Sequence, residues 1–84
     1  MKHLLITFRS VTYAQRGERL LGASGIRCRL QRTPKWMEQQ GCGYSLRLQS
    51  EDGERAVALL RREGIPLRRV YLAREDGNYR EVSL

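Results

Sequence analysis

The signature Leu-Leu-x-x-x-Gly-Ile occurs twice in this chain, at Leu20–Ile26 and again at Leu59–Ile65, 39 positions later. Two apolar runs closed by the same punctuation call for two helices that stop in the same way. A glycine just past the last helical turn supplies left-handed backbone, and the isoleucine after it folds back against the helix. The helices are also entered alike. Phe8-Arg9-Ser10 and Leu48-Gln49-Ser50 stand 40 positions apart, and each ends an apolar run with a serine suited to an N-cap.

The stretches between these marks complete the pattern. Leu4 to Phe8 is a short apolar strand, and Val11 to Ser24 places Ala14, Leu20 and Leu21 on one helical face. Ile26-Arg27-Cys28-Arg29-Leu30 and Tyr44-Ser45-Leu46-Arg47-Leu48 alternate as half-buried strands do. Ala56, Val57, Leu59 and Leu60 form the apolar face of the second helix. Glu51, Asp52 and Glu54 open it, Arg61 and Arg62 close it, and both ends complement the helix dipole. Pro66 follows the stop. Two βαβ units in succession predict an α+β fold, the ferredoxin-like βαββαβ sandwich, with antiparallel sheet order 4-1-3-2 and two helices on one face.

Residues 1–72 then form a single domain, with Leu67 to Leu72 as strand four. Leu67 differs in parity from Val70 and Leu72, which calls for a bulge near Arg68-Arg69. Asp76-Gly77 marks a hairpin turn, so residues 73–84 read as a C-terminal hairpin extension or tail able to add an extra strand.

This topology gives Cys42 an expected location. Strand three runs antiparallel to strand one, so its start lies near the finish of strand one, beside Arg9-Ser10 and the first helical turn at Val11 and Thr12. The connection from Thr33 to Gly43 is too long for a tight hairpin, and long connections in small domains commonly carry function. Cys42 sits in it between Gly41 and Gly43. A helix N-terminus, with Arg9, Lys35 and Arg68 expected near the same rim, lowers a thiol pKa from its ordinary value of about 8.5 and yields thiolate at neutral pH. Amides of the flanking glycines can hold a bound anion. Gly41, Gly43, Arg9, Ser10, Thr12 and Lys35 therefore form the expected supporting set around the thiol. The competing reading is packing, since Cys42 shares parity with Tyr44, Leu46 and Leu48 and can simply top the core. Cys28, between Ile26 and Leu30, should face the core, and a Cys28–Cys42 resolving pair is a further option. The one tryptophan, Trp36, is expected to cap the core, with a docking tip as the alternative.

The segments Thr7-Phe8-Arg9-Ser10, Thr33-Pro34-Lys35 and Cys42-Gly43-Tyr44-Ser45-Leu46-Arg47, with the Leu-Leu-x-x-x-Gly-Ile helix end, carry a resemblance. The chain resembles a family of small bacterial selenium/sulfur carrier-like proteins over about residues 3–72. The family's serine-rich stretch is replaced by Met37-Glu38-Gln39-Gln40-Gly41, and the arginine after its proline by Lys35. The resemblance implies a ferredoxin-like domain in which Cys42 carries sulfur or selenium as a persulfide or selenosulfide. It also implies a sulfur- or selenium-handling protein as donor or acceptor; catalytic turnover is left open, with a non-catalytic carrier favoured over an enzyme.

A net charge of +7 and a pI near 10.3 favour anionic partners. RNA binding is the rival from another class, with Arg27, Arg29 and Arg47 as its basic residues on an open sheet face. The outward set His3, Leu5, Thr7 and Arg9 with Ser45, Arg47 and Gln49 supplies charge but no stacking aromatic. Dimerisation through that face, with Leu5 and Tyr71 as contacts, is a third reading, so the chain is expected as a monomer or homodimer. No apolar run reaches the about 18 residues a membrane span needs, and Met1 to Phe8 lacks the features of a signal peptide. The expected location is the cytoplasm, where two cysteines are thiols rather than a structural bridge. One histidine and two cysteines without ligand spacing give no metal site, and no cofactor motif is present.

Overall fold

In a computed structural model, residues 2–37 and 43–84 are described. Strand β1 (His3–Thr7) leads into helix α1 (Val11–Ala23) and strand β2 (Cys28–Arg32). One 3-10 turn (Lys35–Met37) lies in the connection to β3 (Tyr44–Gln49), and a second (Ser50–Asp52) precedes helix α2 (Gly53–Arg62). Strands β4 (Val70–Ala73) and β5 (Tyr79–Val82) finish the chain. All pairings are antiparallel and the sheet order is β2-β3-β1-β4-β5. The expected order of four is thus extended by a fifth strand at the β4 edge. Gly77, at a φ of 88°, turns the β4–β5 hairpin, and the Asp76 carboxylate accepts from the Asn78 N–H at 3.0 Å.

Both helices pack on one face of the sheet. Leu4, Ile6, Phe8, Leu46, Leu48 and Val70 meet Ala14 and Leu21 of α1 and Ala56, Val57 and Leu60 of α2 in one buried cluster. The repeated signature is the device that closes both helices. After α1, Gly25 N–H donates to Gly22 and Ile26 N–H to Leu21 (2.9 Å); after α2, Gly64 N–H donates to Arg61 and Ile65 N–H to Leu60 (2.9 Å). Gly25 and Gly64 have φ of 82° and 71°, completing the same two-bond Schellman cap twice. Ile26 and Ile65 are buried where the cap delivers them.

The helix starts differ. Ser10 Oγ accepts from Tyr13 N–H at 3.2 Å and caps α1. Ser50 gives α2 no side-chain cap, contrary to the repeat: a 3-10 turn intervenes, and Ser50 N–H donates to the Lys2 carbonyl instead. Near Arg68-Arg69 the ladder is doubled, as the parity break suggests. Arg68 N–H donates to the Thr7 carbonyl at 2.7 Å and Arg69 N–H to Thr7 Oγ1 at 3.1 Å, so two residues oppose one.

Two glycines three residues apart separate cap geometry from helix propensity. Gly25→Ala forces a side chain into left-handed backbone and is expected to cost about 1–2 kcal/mol. Gly22 lies in α1 with open space where a Cβ would stand, so Gly22→Ala is expected to stabilise by up to about 1 kcal/mol. Urea denaturation of both variants checks this; the same sign of change in both would contradict the cap assignment.

Candidate functional site

The expected site centres on Cys42, which lies outside the described residues together with Gly41. The chain on either side of the 38–42 stretch is placed. Gly43, at a φ of 81°, is buried at the start of β3, and its carbonyl accepts from Thr33 N–H at 2.8 Å. That bond continues the β2–β3 ladder, in which Arg32 pairs with Tyr44 and Gln31 with Ser45. Ser45 in turn pairs with Thr7 at the end of β1. The start of β3 therefore sits at the end of the sheet where β1 finishes and α1 begins. Of the supporting residues, Arg9 and Thr12 are exposed beside the start of α1, and the Ser10 hydroxyl is committed to capping that helix. Lys35 is exposed in the 3-10 turn that carries Trp36. Three hydroxyl residues near Gly43 (Thr7 on β1, Ser45 on β3 and Thr33 just past β2) are buried, and the Thr33 and Ser45 side-chain oxygens have no hydrogen-bond partner among the described residues.

Trp36 does not cap the main core. It remains 57% exposed, with its ring edge-on to Tyr71 at 5.8 Å and 6.1 Å from Tyr79. Those tyrosines lie on the face of the sheet opposite the helices, where they bury Leu5 completely. Leu5 is thus no exposed dimer contact, and Tyr71 is itself only 7% exposed. The same observation corrects the expectation of a face without aromatics. Tyr71 comes from β4, behind the bulge at Arg68-Arg69, and Tyr79 from β5, while Trp36 arrives from the β2–β3 connection.

Cys28 behaves as a packing residue. It is a free thiol, half-buried against the core, with Sγ donating to the Glu18 carbonyl at 3.9 Å. Burial, and then the negative charge of Glu18, push its pKa above the ordinary thiol value. At neutral pH such a thiol stays protonated and is a poor nucleophile.

The basic residues singled out for RNA converge. Arg27, Arg29 and Arg47 line one shallow hollow of about 550 Å³ together with Lys2, His3 and Gln49. Arg29 and Arg47 are direct cross-strand partners. His3 links this hollow to the aromatic side of the face: its Nε2 lies 2.9 Å from the Tyr79 hydroxyl, and its Nδ1 lies 3.5 Å from an Arg47 guanidinium nitrogen. A guanidinium can only donate, so Nδ1 accepts and Nε2–H is left to donate to Tyr79. Among the described residues, no group of three or more His, Cys, Asp or Glu side chains could hold a metal ion. Nor, among the described residues, is any helix long and apolar enough to cross a membrane.

A family described as "Putative Se/S carrier protein-like" matches residues 3–72, a span that includes the Cys42–Gly43 pair. The chain belongs to this family. Neither the curated proteins nor the solved structures give a match. The family span runs from the first residue of β1 into β4 and leaves β5 beyond it.

His3 supplies a pH-sensitive reporter of the face. Burial, then the charge of Arg47 and then that of the N-terminus, lower its pKa below 6.5. The folded chain therefore binds this proton less readily than the unfolded one, so the associated stabilisation is present above about pH 6.5 and is lost as the pH falls through the lower, folded value. NMR titration of the single histidine should give a midpoint below 6.5, and Arg47→Gln should raise it. A native midpoint at or above 6.5 would contradict the placement of the ring beside Arg47.

Proposed function

We propose that this protein is a sulfur or selenium carrier that uses Cys42 as its carrier thiol, without catalytic turnover of its own. The observation that carries the reading is the family match across residues 3–72, the span that holds the Cys42–Gly43 pair. Cys28 supports it by elimination, being half-buried with a raised pKa.

In the proposed loading step the Cys42 thiolate attacks the outer sulfur of a persulfide on a donor protein. A sulfur–sulfur bond forms on Cys42 while the donor's own sulfur–sulfur bond breaks. The donor leaves as a thiolate and takes up the proton that Cys42 shed, so one thiol and one persulfide exchange roles and no outside oxidant is needed. A selenium atom in the outer position follows the same course. Unloading is the reverse step toward an acceptor, which makes the natural partner a sulfur- or selenium-handling protein. Backbone N–H groups at Gly41 and Gly43 are the proposed cradle for the terminal anion, with Arg9, Thr12 and Lys35 supplying polarity and positive charge around it and Ser10 holding the helix start beside it. The βαββαβ portion, residues 1–72, is read as a ferredoxin-like carrier domain with residues 73–84 as its extension, acting in the cytoplasm.

Intact mass spectrometry tests the loading step. Protein isolated without reductant, or incubated with a persulfide donor, should carry a reducible adduct of about 32 Da or its selenium equivalent. Cys28→Ser should keep the adduct and Cys42→Ser should lose it. An adduct that survives in Cys42→Ser, or none after incubation with donor, would overturn the carrier reading.

A further inference from the structure

The face opposite the helices is divided into a basic half and an aromatic half. One row of cross-strand partners runs over all five strands as Arg29, Arg47, Leu5, Tyr71 and Glu81. At the β2–β3 side the hollow is lined by Lys2, Arg27, Arg29 and Arg47 and by no carboxylate. At the β4–β5 side Tyr71, Tyr79 and Trp36 form a cluster of rings, with the indole more than half exposed. The carboxylate in that row, Glu81, is engaged by Arg69 at 3.3 Å and so does not neutralise the hollow.

The basic half is unfavourable as it stands. Arg29 lies directly opposite Arg47, and like charges in that position repel. Neither has a carboxylate partner among the described residues. An anion in the hollow relieves the repulsion. The ligand has to bring negative charge to one side and a flat π surface to the other, within the width of a five-stranded sheet. An acidic peptide meets the first requirement and not the second. A duplex meets the first but keeps its bases stacked away from Trp36. Single-stranded nucleic acid meets both, and RNA is the form in which unpaired, splayed bases are common.

We propose that this face binds single-stranded RNA, with backbone phosphates in the Lys2–Arg27–Arg29–Arg47 hollow and a base stacked on Trp36. His3, hydrogen-bonded to Tyr79 and beside Arg47, joins the two halves. The site lies on described residues and does not depend on the chemistry of Cys42.

The test is a fluorescence titration of the full chain with a short mixed-sequence single-stranded RNA, repeated across a salt series. Trp36 is the one tryptophan, so its own emission reports stacking while anisotropy of a labelled strand reports binding. Quenching is expected, with affinity falling steeply as salt rises. Arg29→Gln with Arg47→Gln should weaken binding and reduce the salt slope by about 1.4, at about 0.7 for each phosphate no longer neutralised. Trp36→Ala should weaken binding about tenfold with the salt slope unchanged. The pair Arg16→Gln and Arg19→Gln, exposed on α1, removes the same charge from the other side of the molecule and should leave affinity unchanged within about twofold. Cys42→Ser should also bind normally, which separates this site from the carrier thiol. Absence of binding at low salt, equal weakening by the α1 pair, or a polyglutamate peptide competing as well as the RNA would overturn the proposal.

Discussion

Leu5 has no exposed surface although its side of the sheet carries no helix. That constraint organises much of the molecule. Strand β1 occupies the middle of the sheet, and its consecutive residues Leu4, Leu5, Ile6 and Thr7 are all buried. Leu4 and Ile6 meet the helices, so Leu5 must be covered from the other side or leave a large apolar side chain in water, at a cost of about 2 kcal/mol. The β4–β5 hairpin brings Tyr71 and Tyr79 over it, and the β2–β3 connection brings Trp36 against those tyrosines. The fifth strand is therefore part of how β1 is buried. The connection that contains Cys42 is held at Trp36 by this packing and at Gly43 by the ladder bond to Thr33.

The legible parts of the sequence were those governed by local chemistry. Glycine followed by isoleucine after two apolar helices dictates the same backbone bonds wherever it occurs, and both caps form with matching partners. Ser10 also acts locally, through one hydroxyl and one N–H three residues on. Ser50 looks identical in sequence, yet its environment is set by Lys2 across the sheet, and the helix starts one turn later. Tertiary contact overrode the local signal there.

The aromatic half of the uncovered face is legible only in part: Tyr71 shares a side with Leu5, whereas Tyr79 and Trp36 come from outside the four expected strands. Alternation along a strand tells which residues share a side only while the register is unbroken. Arg68 and Arg69 both oppose Thr7, which puts Leu67 out of parity with Val70 and Leu72 but leaves Tyr71, between those two, on the open side with Leu5. Tyr79 required knowing that the tail pairs as β5, and Trp36 required knowing that its connection folds across the sheet. The basic half was easier, because Arg29 and Arg47 fall on the regularly alternating strands β2 and β3 and meet as direct partners.

The two cysteines are read differently. Cys28 alternates on a strand against the core, and its surroundings favour the protonated thiol. Cys42, between two glycines in a family that bears the carrier name, is the thiol on which the functional reading rests. The most direct measurement is the pH dependence of alkylation rate in Cys28→Ala and Cys42→Ser proteins, each leaving one thiol. Cys42 is expected to react with a midpoint below about 8.5, while burial and Glu18 keep the Cys28 midpoint above the ordinary thiol value. A Cys42 midpoint at or above about 8.5, or faster reaction at Cys28 near neutral pH, would contradict the assignment of Cys42 as a carrier thiolate.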